Sequence, residues 1–246
     1  MKSKTLLLIL TMLVSASLLS ACGAVAVANW SGIASDQDMA YLAHGSFVYA
    51  LNLETQQELW HFPAEVDRAI TFFAAPVLTA DGQLLVGSYG PKEYKLYSLS
   101  PDNGAVKWTF EQAGGDYIAS PLVTDTAIYA ANADGNLYAL DLNGKLLWTF
   151  KSDKPLWATP AINDACSCLF VPSMNHKLYA LNADTGEIRW ETGDLGGSMV
   201  ASPTFAEDGT VYIGTFANEL IALEAEDGAI QWRYKTDGFV WTQPSW

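Results

Sequence analysis

The stretch Tyr179-Ala180-Leu181-Asn182-Ala183-Asp184-Thr185-Gly186-Glu187-Ile188-Arg189-Trp190 reads as a strand, a tight turn and a second strand. Leu178 and Ala180 alternate with Tyr179 and Leu181, so the first segment has two faces. Asp184-Thr185-Gly186 turns the chain, with Gly186 supplying a positive φ. Ile188 and Trp190 then alternate with polar residues. The pattern returns around Trp60, Trp108, Trp148 and Trp232, so the five tryptophans are 48, 40, 42 and 42 residues apart. A fixed period near 42 residues is one supersecondary unit repeated. Repeated residues hold the repeat together; chemistry must be sought where the copies differ.

The rest of the unit follows. Ala158 to Ile162 is short and apolar and contains Pro160. Cys168 to Val171, Lys177 to Asn182 and Glu187 to Thr192 are three further strand-like runs between turns. Four short strands with hairpin turns make an antiparallel meander. Pro76, Pro121, Pro160, Pro203 and Pro244 each open a repeat. Proline is tolerated at a strand start or a sheet margin, which makes this strand the innermost around a central channel. Asp81-Gly82 and Asp208-Gly209 are hairpin turns after it. Four-stranded sheets at this period predict an all-β propeller. No helix of ten residues can be drawn after the leader, and no leucine-rich consensus occurs.

The blades are expected over residues of about 29–63, 72–112, 117–151, 156–193 and 199–236. Residues 239–246 begin a sixth, since Trp241-Thr242-Gln243-Pro244 parallels Trp157-Ala158-Thr159-Pro160. The first blade already has an innermost strand, near Asn29 to Ala34, so this last segment completes no other blade. An open arc would expose two blade faces and favour self-association.

Residues 1–21 read as a secretory leader: Lys2 and Lys4 precede an apolar run from Thr5 to Leu19. Leu19-Ser20-Ala21-Cys22 resembles the lipobox of bacterial lipoproteins, which implies cleavage before Cys22 and acylation of its sulfur. Residues 22–28 would then be the lipidated cysteine and a tether. That address is the bacterial envelope, on the periplasmic face of an outer membrane or the outer face of a cytoplasmic one. Gly23 after the cysteine favours the outer membrane.

Loss of Lys2 and Lys4 takes the formal charge from -14 to -16. A chain this acidic, with no basic patch to neutralise phosphates, is not expected to bind nucleic acid or adsorb directly to anionic lipid. Cys166 and Cys168 have a spacing compatible with an incidental pair, a local disulfide or, with two further ligands, a metal site. His176 lies at the opposite end of its blade, so no metal site is expected.

The repeat resembles the tryptophan-docking repeat of the quinoprotein (PQQ-like) propellers, Ala-x-Asp/Asn-x-x-Thr-Gly-x-x-x-Trp. Ala180, Asn182, Thr185, Gly186 and Trp190 match it in full. Ala139, Asp141, Gly144 and Trp148 match with one residue deleted. Ala222, Gly228 and Trp232 match with Glu224 and Asp227 departing. Gly104 and Trp108 match with Ser98 and Ser100 replaced. Ala50, Asn52, Thr55 and Trp60 match, but Gln56 stands where Gly belongs. The resemblance implies that Trp60, Trp108, Trp148, Trp190 and Trp232 pack between adjacent blades. It also implies seven or eight blades, so the count here points to a truncated chain.

Enzymes of that family hold a quinone and calcium with a set of Glu, Asn and Asp and an adjacent-cysteine disulfide. Cys166-Ser167-Cys168 departs from that disulfide, and the acidic set has no matching positions, so neither PQQ nor calcium is expected. No Gly-x-Ser-x-Gly, His-Glu-x-x-His or phosphate loop occurs, and no catalytic residue is singled out. Lipid-anchored, non-enzymatic propellers similar to this chain are scaffolds in outer-membrane β-barrel assembly, which implies a protein partner. The alternatives are a PQQ-dependent dehydrogenase-like oxidoreductase, or its remnant, and a surface carbohydrate- or peptide-binding propeller. Candidate binding residues lie where the copies vary. Phe73, Ile118, Trp157, Val200 and Trp241 stand three before each proline, and His44, Asn132, His176 and Asn218 lie in the second-to-third turns. Tyr89 and Tyr94 lie in the corresponding turn of the second repeat. Aromatics beside amides would suit a sugar, a peptide strand or a small amphiphile; the bland role is to plug the channel and cap turns.

Overall fold

A computed structural model describes residues 32–243 except Lys92 and Ala165. The leader, Cys22 and the tether lie outside the described residues, as does Pro244. Among the described residues every regular element is a β-strand. The first sheet is β1 (Gly32–Ser35), β2 (Met39–His44), β3 (Phe47–Asn52) and β4 (Glu58–Phe62), paired in chain order. The second holds β5 (Thr71–Phe72), β6 (Val77–Leu78), β7 (Leu84–Tyr89), β8 (Leu96–Leu99) and β9 (Val106–Phe110). The third is β10 (Leu122–Val123), β11 (Ile128–Ala131), β12 (Asn136–Leu140) and β13 (Leu146–Lys151). The fourth is β14 (Ala161–Asn163), β15 (Cys168–Pro172), β16 (Leu178–Asn182) and β17 (Ile188–Glu191). The fifth is β18 (Thr204–Phe205), β19 (Val211–Thr215), β20 (Glu219–Leu223) and β21 (Ile230–Lys235). All pairings are antiparallel, which makes each sheet one propeller blade.

The prolines stand just ahead of the inner strands rather than within them. β6, β10, β14 and β18 each begin one residue after Pro76, Pro121, Pro160 or Pro203. Proline has no N–H to give a ladder, so pairing starts behind it. In the second blade this splits the inner strand: β5 pairs with the Tyr89 end of β7 and β6 with its Leu84 end.

One irregularity recurs in every blade. The register between the third and fourth strands shifts just after Ala50, Ser98, Ala139, Ala180 and Ala222. Those five small residues lie directly opposite Trp60, Trp108, Trp148, Trp190 and Trp232. A bulge increases local twist and re-aims a side chain; the indoles of Trp60, Trp108, Trp148 and Trp190 reach the next blade, whereas Trp232 has no described blade to reach. Trp60 Nε1 donates to Pro101 O at 2.9 Å, Trp148 Nε1 to Ala183 O at 3.2 Å and Trp190 Nε1 to Ala225 O at 3.1 Å. Trp108 Nε1 donates to Gln83 Oε1 at 2.8 Å and to Leu142 O at 3.2 Å.

The rings lie on the glycine turns of the following blade. A Cβ on Gly104 would meet Trp60 Cε3 at 2.6 Å, and one on Gly228 would meet Trp190 Cε3 at 2.7 Å; Gly144 and Gly186 are covered likewise by Trp108 and Trp148. These four glycines also have positive φ, so the position is glycine for two separate reasons. The first blade keeps the same turn with Gln56 at φ 58, but there the turn is exposed and a side chain has room.

Side chains alternate across each blade, so consecutive residues serve different interfaces. Leu84 and Val86 join Tyr41 and Val48 between blades one and two, whereas Leu85 joins Ile128 and Leu140 between blades two and three. Leu137, Leu169 and Leu181 fill the third interface, and Phe170, Met199 and Ile213 the fourth. Among the described residues no such cluster joins blade five to blade one. Strand β21 is exposed along its whole length, and Trp232 is 42 % exposed. The described blades form an open arc.

Residues 239–243 follow the path of a connector without forming a strand. Val240 N–H donates to Thr215 O at 3.3 Å, as Tyr117 N–H donates to Ser88 O at 3.1 Å. Cys166, in the turn before β15, and Cys168, the first residue of β15, are joined in a disulfide with Cα atoms 5.1 Å apart. Of the three possibilities left open by spacing, the local pair is the one formed.

Candidate functional site

Each connector between blades ends in the same local pattern: a large buried residue, a variable residue, a buried alanine, then one more residue before proline. It reads Phe72-Phe73-Ala74, Tyr117-Ile118-Ala119, Leu156-Trp157-Ala158 and Met199-Val200-Ala201, with both flanking residues buried in every case. The connector backbone is pinned by hydrogen bonds and bends at the buried alanine. Phe72 N–H donates to Gly45 O at 2.8 Å, and Leu156 N–H to Asn132 O at 3.1 Å. The two flanking side chains are taken up by packing, and the variable residue between them is left at the channel mouth. A ladder of hydroxyls ties the inner strands together: Ser120 Oγ donates to Ala75 O at 2.8 Å and Thr159 Oγ1 to Ser120 O at 2.9 Å.

Phe73, Ile118, Trp157, Val200 and Trp241 thus line one cavity of about 540 Å³, within the range of small-ligand sites. Tyr89 joins them and stacks on Phe73 with ring centroids 5.8 Å apart. Trp157, Tyr89 and Trp241 are 38 %, 39 % and 47 % exposed. Trp241 also packs on Phe216, at 4.6 Å between centroids. The polar part of the lining includes Asp116, Thr159 and Ser202. Asp116 Oδ1 accepts Gly90 N–H at 3.0 Å. Sequence reasoning did not single out Asp116, because it sits in a connector at a position with no recurring residue type.

The four polar candidates lie outside this lining. Asn132 is fully buried; its Nδ2 donates to Gly115 O at 2.7 Å and its Oδ1 accepts Asp134 N–H at 3.0 Å, so it braces a turn against a connector. His176 and Asn218 have φ of 69° and 62°, at the turn position held by Gly135 in the third blade. His176 Nδ1 lies 3.2 Å from Asp194 Oδ1 in an exposed pair. The Gly196 N–H, then His176, hold the Asp194 carboxyl below the usual carboxylate range. Asn218 Oδ1 is buried without a hydrogen-bond partner among the described residues. His44 ends β2 on the exposed side.

Beneath the rim the Tyr117 phenol is buried and has no hydrogen-bond partner among the described residues. Burial, then the neighbouring Tyr138 and Asp134, push its pKa well above the ordinary phenol value. Tyr138 OH donates to Asp134 Oδ2 at 2.6 Å. Burial, then that bond, push Tyr138 up to about 12.

Among the described residues no three His, Cys, Asp or Glu side chains converge as metal ligands. The cavity lining offers one carboxylate, Asp116. What the arrangement can do is bind: an open aromatic mouth on a scaffold whose repeated residues are committed to packing.

The family model described as outer membrane protein assembly factor BamB matches residues 44–166 and 154–240. The chain belongs to this PQQ-like propeller family. It is 29 % identical over 156 residues to the BamB of Moranella endobia and 30 % identical over 155 residues to that of Yersinia pestis. Each match covers 58 % of this chain and 37 % of the relative. An enzyme shares the repeat as well: tetrathionate hydrolase of Acidithiobacillus ferrooxidans is 25 % identical over 164 residues, covering 56 % of this chain and 32 % of that protein. Among solved structures, BamB from Moraxella catarrhalis superposes with a TM-score of 0.66 at 19 % identity, covering 82 % of this chain and 60 % of that one. That likeness is one of fold.

Proposed function

We propose that this chain is a non-catalytic, protein-binding propeller of the bacterial envelope that works in outer-membrane protein assembly. The family match over residues 44–166 and 154–240 carries the reading. The aromatic channel mouth supports it as the contact site, since aromatic residues are enriched at protein interfaces. The leader and the lipobox-like tetrad ending at Cys22 support a lipid anchor. The bare blade-five face, with Trp232 and Tyr234 exposed, supports self-association at high concentration.

Two measurements test the proposal. The chain, purified in detergent, should co-elute with the purified barrel subunit of its own organism's outer-membrane assembly machinery, and Trp157→Ala should weaken that complex. Separate elution at micromolar concentrations would contradict the reading. Intact mass should show an acylated Cys22 as the mature N-terminus, and an unmodified Cys22 would remove the anchor.

A further inference from the structure

We infer that the channel-mouth cavity takes an organic cation: the ammonium or guanidinium head of a Lys or Arg side chain on an extended segment of a protein partner. This rests on the protein-binding reading and names the chemistry of that site.

Three observations converge. The first is aromatic. Tyr89, Trp157 and Trp241 line one opening while more than a third exposed, and Phe73 stacks on Tyr89. Aromatic faces carry negative quadrupoles and attract a cation placed over them. The second is charge. Among the described residues that line the cavity, Asp116 is the one carboxylate, and none is Lys, Arg or His. Its Oδ1 is steadied by the Gly90 N–H. The third is the field of the whole chain, whose formal charge of -14 draws cations and repels anions.

Asp116 decides between ligand classes. A neutral apolar ligand closing the mouth would strip water from the carboxylate and give it no counter-charge, which is costly. An anionic ligand adds repulsion to that cost. A cation pairs with Asp116 while its methylene stem lies along Ile118 and Val200, as long basic side chains do on apolar surface. The cavity of about 540 Å³ exceeds a single ammonium head, which leaves room for the flanking peptide.

The test is calorimetric titration of the detergent-purified full chain. The probes are a short glycine peptide carrying one lysine, the same peptide with the uncharged carbon isostere of that side chain, and free phosphocholine. The charged peptide should bind about tenfold more tightly than its isostere. Asp116→Asn and Trp157→Ala should each erase most of that preference with the circular dichroism spectrum unchanged.

Equal affinity for peptide and isostere would overturn the cation inference while leaving protein binding in place. Saturation by phosphocholine but not by the peptide would assign the site to a lipid headgroup and overturn the protein source. Failure of every probe would overturn the inference; protein binding is judged separately by co-elution with the barrel subunit.

Discussion

Replacing Gly186 by alanine adds one methyl group where the backbone and a neighbouring blade both object. Its φ is +74°, and the new Cβ would sit on the face of Trp148. Gly209 supplies an internal control: its φ is +87°, and a Cβ there meets nothing within 4 Å. A left-handed backbone costs an L residue roughly 1–2 kcal/mol, part of which is offset by lower entropy of the unfolded chain. Gly209→Ala should therefore cost about 1 kcal/mol. Gly186→Ala carries the same strain, and must also lift Trp148. Overpacking adds about 1–3 kcal/mol, and weakening of the Trp148 Nε1 bond to Ala183 O about 1 kcal/mol more. The expected total is about 3–5 kcal/mol. Urea unfolding followed by far-UV circular dichroism and tryptophan fluorescence reads both variants. Equal losses, or a larger loss for Gly209→Ala, would refute the claim that the glycine turns are seats for tryptophans.

The tryptophans themselves should divide the same way. Trp148→Ala removes a ring held against the next blade and should cost about 3 kcal/mol or more, whereas Trp232→Ala should cost less than about 1 kcal/mol, both read by denaturant midpoint. Tyr117→Phe deletes a buried hydroxyl with no partner among the described residues, so thermal unfolding should move upward, by the equivalent of about 1 kcal/mol; a lower midpoint would show that the hydroxyl has a partner after all. The His61 imidazole pKa is raised above the ordinary histidine value of 6.5, chiefly by its hydrogen bond to Glu58. A raised folded pKa contributes stability that is full below 6.5 and lost as pH rises through the folded value. NMR titration should place His61 above 6.5 in the wild type and lower in Glu58→Gln; an unmoved resonance would refute the pair.

Trp60, Trp108, Trp148 and Trp190 were legible because one job is repeated, and repetition shows residue type and spacing together; Trp232 has the spacing but packs on no described blade. The facing bulge was not, since Ala180 and its equivalents look like ordinary small strand residues until paired with the indole. The cavity-lining ring could be found from the prolines: a residue three positions before a fixed landmark, between two buried neighbours, is left at the channel mouth. His176 and Asn218 illustrate the opposite case. They look like ligands in sequence, yet they occupy the turn position that Gly135 fills elsewhere, where the backbone needs a left-handed residue. Aligning them with Gly135 was the available signal. Asp116 had none, because its role depends on the curvature that brings Phe73, Trp157 and Trp241 around it.

The central claim is that binding falls on the non-repeating rim and not on the blades. Hydrogen exchange of the full chain, alone and saturated with the purified barrel subunit, tests it most directly. The account predicts new protection in the connectors around Phe73, Ile118, Trp157 and Val200, with the outer strands β4, β9, β13 and β17 unchanged. Protection confined to the outer strands, with the connectors exchanging as in the free chain, would contradict it.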